Sequence, residues 1–238
     1  MVKSAKQFGQ PLAGWTPPPR PGTAVLRGTY VSLEPLSAEL HASELHEANS
    51  ADGAIWDYLP YGPFETLEDY QAWVHSMAQS DDPQFYAVRV VESGRVAGVL
   101  SYLRINPDAG SIEVGHINFS PALQRTRAAT EAIFLVMQWA FEAGYRRFEW
   151  KCDALNMGSR RAAQRFGFSY EGVFRQATLY KERNRDTAWF ACIDKEWAAL
   201  KQAYETWLAP ENFDEMGQQK LPLGALTGPV RVTSDPLL

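Results

Sequence analysis

The stretch INFSPALQRTRAATEA, residues 117–132, joins the end of a predicted strand, a turn and the start of a predicted helix. It places Arg125 and Arg127 beside the first turn of that helix. The N-terminus of a helix already carries about half a positive charge, so arginines there are unfavourable unless an anion binds between them. Because free backbone N–H groups at a strand-to-helix turn bind phosphate, the stretch predicts an anion site. The alternative is that both guanidinium groups point into solvent.

Hydrophobic periodicity on both sides of this turn predicts an α/β domain. Before the turn, QFYAVRVV, VAGVLSYLRI and SIEVGHINF alternate as strands and predict an antiparallel meander. Two helices are predicted ahead of them, with Ser37 and Thr66 as N-cap residues. After the turn, the pattern predicts a helix over about 128–142, a strand in RRFEWKCDA, a short helix in SRRAAQRFGF, a strand pair and a last helix over about 195–208.

The predicted domain covers residues 25–208 and is flanked by two segments without periodicity. Residues 1–24 contain several prolines, which exclude helix and predict an extended arm. Residues 209–238 show neither a helical nor a strand period and predict a tail. Such a tail could pair with a second subunit in a homodimer.

Composition excludes several classes of protein. The 238 residues are 45% hydrophobic and 13% aromatic, with no apolar run near the roughly 18 residues of a membrane span, so a soluble protein without a membrane partner is expected. A formal net charge of -5 argues against nucleic acid binding and suits a cationic substrate such as an amine. No apolar stretch follows Lys3 and Lys6, so we expect no secretory signal and a cytoplasmic location. Cys152 and Cys192 provide neither a disulfide framework nor a metal-ligand spacing, so no metal is expected.

The turn also matches a family motif written Gln/Arg-x-x-Gly-x-Gly/Ala. Gln124, Arg127 and Ala129 fall on its three specified positions, and ATEA over 129–132 is a usual continuation. Two further blocks follow in the family's order. EGVFRQATLYKERNRDTAWFACIDKEW is similar to its closing strands, and NMGSRRAAQRFGF matches an Asn-x-x-(Ala/Ser), seven residues, Gly-Phe block through Asn156, Ser159, Gly167 and Phe168. Over about residues 25–200 the chain therefore resembles the GNAT superfamily of N-acetyltransferases, nearest the Rim-type branch, which acetylates the N-termini of ribosomal proteins.

The resemblance implies a GNAT fold, in which helices flank a mixed, mostly antiparallel central sheet. It also implies acetyl-CoA as co-substrate, with its pyrophosphate bound at the turn. The expected contacts are Ile117, Phe119, Gln124, Arg125, Thr126, Arg127, Ala128, Ala129, Thr130, Asn156 and Ser159. Arg127 stands where the family has glycine, so we expect it to add charge to a loop that binds through its backbone; weak CoA binding is the alternative.

The chemistry implied is acetyl transfer to an amine. In relatives with a glutamate base, that residue stands four positions before the one whose N–H polarises the thioester carbonyl; counting back from Gln124 gives Ile117 and Glu113. His116 is the rival base, on the opposite face if the strand alternates regularly, although a bulge would shift that parity. Glu113 and His116 could also be merely structural polar residues.

Two further positions bear on the departing thiolate. The family's tyrosine acid is replaced by Ala163, so that route is closed. Ser159 matches a branch serine whose hydroxyl donates towards the sulfur; the alternative is that Ser159 is a helix N-cap. A thiolate is a tolerable leaving group, so direct attack on the thioester without a covalent enzyme intermediate is expected. Cys152 is expected to be a buried strand residue and not a nucleophile.

The loop WDYLPYGPF supplies the candidate substrate-binding residues Trp56, Tyr58, Tyr61 and Phe64, which either line an amine pocket or pack as a helix connector. The leading acceptor is the N-terminal α-amine of a protein or peptide. A small-molecule amine, such as a polyamine, an amino acid or an aminoglycoside, is the second possibility. A non-catalytic CoA-binding or interaction module of the same fold is the third, because the motif glycine and the tyrosine are both missing.

Overall fold

Strand β5 (Ser111–Phe119) lies at the junction between the antiparallel and the parallel part of one sheet. The structure, a computed structural model, describes residues 6–238, so residues 1–5 of the predicted arm lie outside the described residues. The other strands are β1 (Leu26–Arg27), β2 (Val31–Pro35), β3 (Gln84–Val90), β4 (Val96–Asn106), β6 (Arg147–Asp153), β7 (Ser169–Tyr180) and β8 (Arg183–Ile193). The α-helices are α1 (Ala38–Asn49), α2 (Leu67–Ala78), α3 (Arg127–Glu142), α4 (Met157–Arg165), α5 (Asp194–Leu208) and α6 (Leu223–Thr227).

The strands follow the order β1-β2-β3-β4-β5-β6-β8-β7 in the described part of the chain. Every neighbouring pair is antiparallel except β5 and β6. The predicted fold class is therefore confirmed: helices flank a mixed, mostly antiparallel sheet. The meander predicted from three alternating segments corresponds to β3, β4 and β5, and the predicted final strand pair corresponds to β7 and β8.

Strands β5 and β6 separate soon after they begin. Ser111–Val114 pair in parallel with Arg147–Trp150. Both strands continue beyond these residues, but among the described residues they no longer pair with each other. Helix α3 connects them and buries Ile133 and Met137 against the sheet. A gap consequently opens in the middle of the sheet, at the carboxyl ends of two parallel strands, where ligands bind in many open α/β sheets.

Side-chain caps set where the helices begin. Ser37 and Thr66 each accept the N–H of the residue three positions later, at 3.3 and 3.1 Å, which confirms both predicted N-caps. Helix α4 begins differently from its prediction, because Asn156 Oδ1 accepts the Ser159 N–H at 2.9 Å. Ser159 therefore lies inside the helix, and its alternative role as N-cap is wrong.

Each face of the sheet is covered by helices. The face towards α3 and α5 buries the larger cluster, which includes Leu100, Tyr102, Ile112, Val114, Phe148 and Phe190. The face towards α1 and α2 buries a second cluster, which includes Leu45, Trp56, Val74, Phe85 and Val99. Leu40 of α1 is 69% exposed, because five residues separate it from the buried Leu45 and turn it to another side of the helix.

Residues 209–238 differ from the predicted tail because they pack against the domain. Leu223 in α6 is fully buried. The buried guanidinium of Arg160 in α4 donates from Nε and Nη2 to the carboxylate of Asp235, both at 2.6 Å. The residues that hold this segment to the domain, such as Leu223 and Asp235, are separated by turns. The sequence therefore shows no hydrophobic period of 2 or 3.6 residues there.

The described part of the arm also lies against the domain, since Tyr145 donates a hydrogen bond to the carbonyl of Pro19 at 3.1 Å. None of the helices in residues 6–238 is long and apolar enough to cross a membrane.

Candidate active site

A cleft of about 1490 Å³ opens where β5 and β6 separate. It extends from the first turn of α3, past both strands and α4, to the β7–β8 hairpin. The expected coenzyme contacts that line it are Ile117, Phe119, Gln124, Arg125, Thr126, Arg127, Ala129, Thr130, Asn156 and Ser159. Ala128 is the exception, because it lines a neighbouring recess bordered by the end of α1, the β3–β4 turn and the start of α3.

The turn before α3 leaves backbone amides free at one end of the cleft. The first intrahelical bond runs from Thr130 N–H to Thr126 carbonyl at 3.3 Å, so the amides of Arg127 and Ala128 precede the helical ladder. Thr126 caps the helix by accepting the Ala129 N–H at 3.1 Å. These free amides, at the positive end of the α3 dipole, can bind an anion.

Two guanidinium groups are held beside this turn by aromatic rings. Arg127 Nη1 donates to the Tyr30 hydroxyl at 2.8 Å, and its guanidinium carbon lies 3.4 Å from the ring centroid of Phe213. Arg165 Nη1 donates to Thr130 Oγ1 at 3.2 Å, and burial lowers the pKa of its guanidinium without neutralising it. An anion at the turn would offset the desolvation of both cations. The alternative that Arg127 points freely into solvent is wrong.

Arg165 was not singled out in the sequence, because 35 residues separate it from Thr130. Only the SRRAAQRFGF helix signal could have pointed to it, and that helix had no predicted orientation towards the turn. Phe213 was missed for a similar reason, since it belongs to the segment expected to be a tail.

A β-bulge in β5 changes which side chains reach the cleft. His116 and Ile117 together face the single residue Leu100, and His116 has a φ of 50°. Ile117 therefore packs on the α3 side with Ile112, as part of the larger core cluster. Glu113 and His116 consequently both line the cleft, which differs from the opposite faces expected for regular alternation.

Glu113 lies between two cations and is 2% exposed. Arg104 Nη1 donates to Glu113 Oε1 at 2.7 Å, and Lys151 Nζ lies 2.9 Å from Oε2. Lys151 also lies 2.6 Å from a carboxylate oxygen of Glu149. These ion pairs offset part of the cost of burying the Glu113 carboxylate.

His116 is neutral at pH 7. Burial, assisted by the charges of Arg104 and Arg185, lowers the pKa of its imidazole to about 4. Its Nδ1 lies 3.1 Å from the Tyr61 hydroxyl, and the two rings stack with centroids 5.6 Å apart. A neutral ring of this kind can exchange hydrogen bonds but has a low affinity for a proton.

Ser159 and Cys152 lie on the α4 side of the gap. Trp150 Nε1 donates to Ser159 Oγ at 2.9 Å, which fixes the hydroxyl at the cleft wall. Burial raises the pKa of the Cys152 thiol to about 11, although the Ser159 hydroxyl opposes this in part. Cys152 is therefore protonated at neutral pH and is a poor nucleophile.

The aromatic loop forms core rather than pocket wall in three of its four candidate positions. Trp56, Tyr61 and Phe64 pack edge-on or tilted against each other and against Tyr70 and Trp73 of α2. They do so because their rings lie under the loop and fill the space between α2 and the sheet. Tyr58 lines the cleft, as expected, and donates to the Leu155 carbonyl at 3.2 Å.

The β7–β8 hairpin forms the opposite wall and was not recognised as part of the site in the sequence. Its cleft-lining residues include Phe174, Tyr180, Arg185, Thr187 and Trp189. The Lys181 ammonium donates to the Trp56 carbonyl at 2.8 Å and so ties the hairpin to the aromatic loop. Alternation along the final strand pair could have identified these residues, but only once the hairpin's position over the gap was known.

Comparisons with known proteins point to one family. A family model described as an acetyltransferase (GNAT) domain matches residues 31–169. A crystal structure of a GCN5-related N-acetyltransferase from Brucella melitensis is 49% identical, has a TM-score of 0.89 and aligns over 91% of this chain and 100% of its own. A structure described as a probable acetyltransferase of the GNAT family, from Chromobacterium violaceum ATCC 12472, is 44% identical, with a TM-score of 0.77 over 82% of this chain and 99% of its own.

A more distant neighbour shares the fold. The microcin C7 self-immunity acetyltransferase MccE, in complex with acetyl-CoA and AMP, is 20% identical, with a TM-score of 0.62 over 70% of this chain and 93% of its own. No curated protein has a sequence that matches this chain significantly.

Arg127→Met and Arg165→Met should each raise the Kd of acetyl-CoA about tenfold, because each removes a charge-assisted contact to phosphate. The Kd of S-acetylpantetheine, which has no phosphate, should stay the same. Isothermal titration calorimetry measures both ligands, with Arg161→Met on the exposed side of α4 as the matched control. An equal rise in Kd for acetyl-CoA and S-acetylpantetheine would contradict a phosphate contact.

Proposed function

Because the chain belongs to the GNAT acetyltransferase family, for which acetyl-CoA is the co-substrate, we propose that it acetylates the α-amine at the N-terminus of a protein or peptide. The family membership supports acyl transfer from acetyl-CoA, and the acceptor is the new part of the proposal. Support for an N-terminal acceptor comes from the three sequence blocks that resemble the Rim-type branch.

The observation that carries the proposal is a cleft that reaches both faces of the sheet. The free amides of α3, with Arg127 and Arg165, suit the pyrophosphate of the coenzyme. The pantetheine then fits the gap between β5 and β6, as far as Ile117 and Ser159. The acceptor would enter from the other face, past Glu113, His116 and the hairpin. This arrangement brings an amine and a thioester together without a covalent enzyme intermediate.

The residues of the cleft have complementary roles in this transfer. The amine nitrogen bonds to the acetyl carbon, the carbon–sulfur bond breaks, and the amine loses a proton. Ile117 N–H would polarise the carbonyl, and the Ser159 hydroxyl would donate towards the leaving sulfur. The high thiol pKa of Cys152 supports direct attack, since no thiolate is present to accept the acetyl group first.

The amine must be neutral before it attacks. Glu113, directly or through a water molecule, would take the proton released on attack. Glu113 is the better candidate by position, because its carboxylate lines the acceptor side four residues before Ile117, whereas burial lowers the pKa of His116 to about 4.

One observation favours a small-molecule amine as the second candidate acceptor. The Lys181 and Tyr58 hydrogen bonds tie the hairpin, the aromatic loop and the β6–α4 loop together across the acceptor side. Such a bridge leaves less room for a polypeptide than for a small amine. A non-catalytic module is the third candidate, on the absence of the motif glycine and of the tyrosine at Ala163.

Release of CoA thiol should occur with peptides that carry a free α-amine, and more slowly with an N-blocked peptide containing lysine, because an α-amine with pKa near 8 is neutral more often than a lysine with pKa near 10.4. A thiol assay with mass spectrometry of the products measures this across peptides, free amino acids and polyamines. Turnover confined to the small amines would support the second candidate. CoA binding without turnover of any amine would support the third.

Glu113→Gln should lower kcat about 10- to 100-fold and change the Kd of acetyl-CoA little, because it removes a proton acceptor on the acceptor face. Steady-state kinetics and calorimetry measure the two effects, and the melting temperature reports whether the uncompensated Arg104 and Lys151 disturb the fold. Glu65→Gln, on the exposed surface before α2, is the matched control. A Glu113→Gln variant with full activity would show that Glu113 is not the base.

The pH profile of kcat/KM should rise up to about pH 8, where an α-amine becomes neutral, and then level. His116, with a pKa of about 4, is already deprotonated above pH 5.5 and should add no inflection between pH 5.5 and 9. Profiles of the native chain and of His116→Gln measure this. An inflection between pH 6 and 7 that disappears in His116→Gln would mean that His116 titrates during catalysis.

A further inference from the structure

We infer that Arg185 binds a carboxylate of the acceptor, so that the substrate of this cleft is a primary amine with an anionic group beside it. The inference rests on the proposed function, because it places the acceptor on the hairpin side of the cleft. It goes further by making Arg185 a residue that determines acceptor specificity.

Arg185 lies on the cleft face of β8, together with Thr187 and Trp189. Its Nε is shielded from solvent and has no hydrogen-bond partner among residues 6–238. A buried guanidinium nitrogen without a partner is costly, and native proteins rarely leave one in that state. A ligand carboxylate would supply the missing acceptor, and guanidinium groups bind carboxylates in a planar, two-point geometry.

The other cations of the acceptor side already have carboxylate partners. Arg104 pairs with Glu113, and Lys151 lies between Glu113 and Glu149. Within the described residues, no such ion pair includes Arg185, and its nearest aromatic contact is the Tyr180 ring, 5.7 Å from its guanidinium carbon. Arg185 is therefore the cation on the acceptor side that remains available to bind a substrate.

The nearby acidic residue of β6 does not replace such a ligand. Asp153 pairs in register with Thr187, two residues from Arg185. Its Oδ1 accepts the Leu155 N–H at 2.8 Å, and its Oδ2 accepts the Tyr180 hydroxyl at 2.9 Å. Both oxygens are thus engaged in fixing the β6–α4 loop and the hairpin.

Arg185 also lies close to the proposed reaction centre. Its charge contributes to lowering the pKa of His116 and opposes the rise in the pKa of Cys152. Trp189 Nε1 is a second shielded donor without a partner among the described residues, on the same face of β8, and its ring lies 4.0 Å from Lys151 Nζ. The floor of the acceptor side therefore presents unused donors near the residues expected to receive the amine.

The required carboxylate has two chemical sources. It is either the α-carboxylate of a free amino acid or the acidic side chain at the first position of a peptide. In both, a few bonds separate the carboxylate from the amine, which suits a site that holds Arg185 near Glu113 and His116.

Matched acceptors test the inference and distinguish the sources. Alanine against alaninamide tests the α-carboxylate, and an amidated peptide beginning with Asp against one beginning with Asn tests the side chain. The native chain should prefer the anionic member of one pair at least tenfold in kcat/KM. Arg185→Gln should abolish that preference by raising the KM of the anionic member to that of its neutral counterpart. Arg183→Gln, exposed at the start of β8, is the matched control and should keep the preference.

A preference absent from both pairs would overturn the inference, as would an Arg185→Gln variant that slows anionic and neutral acceptors equally. A binding measurement separates this result from failure of the proposed function. In the presence of CoA, N-acetylalanine should bind more tightly than N-acetylalaninamide, or an acetylated Asp peptide more tightly than its Asn analogue, with the difference lost in Arg185→Gln. Calorimetry detects this without turnover, and equal affinities within both pairs would refute a carboxylate site.

Discussion

The separation of β5 from β6 after four residue pairs is the constraint on which the rest of the site depends. A sheet interior normally leaves no room for a ligand, because each strand satisfies the backbone groups of the next. Beyond Val114 and Trp150, the two strands no longer do so for each other. The gap leaves the edge of β5 available to a ligand and connects the α3 face of the sheet to the acceptor face. Coenzyme and amine can thus approach from opposite sides.

Charge is distributed unevenly around this gap although the chain as a whole is acidic, with a net charge of -5. At the α3 end, Arg127 and Arg165 add to the positive end of a helix dipole, which suits a diphosphate. At the acceptor end, Glu113 and Glu149 balance Arg104 and Lys151. Paired charges of this kind make a polar but nearly neutral surface. Arg185, which has no ion-pair partner within residues 6–238, therefore has a disproportionate effect there.

The GNAT family model matches residues 31–169, and segments outside that range complete the cleft. The Phe213 ring packs against the guanidinium of Arg127, and the centroid of the Trp207 ring lies 5.0 Å from the guanidinium carbon of Arg165. Trp207 donates to Gln219 at 2.8 Å, which holds the following loop against the same side. The hairpin of β7 and β8 forms the acceptor wall. The family domain therefore provides the gap, while flanking elements shape both of its ends.

The sequence by itself determined the order of the elements from α1 to α5, the strand-to-helix turn before α3 and the family, because these depend on local periodicity, on caps such as Thr66 and on motif spacing. Tertiary structure decided what local patterns do not encode. The bulge at His116 placed both candidate bases on one face, and core packing removed Trp56, Tyr61 and Phe64 from the pocket. Contacts between residues far apart in the chain bring Arg165, Phe213 and Arg185 to the cleft. Such contacts exist only once the sheet, the hairpin and the C-terminal segment have packed together.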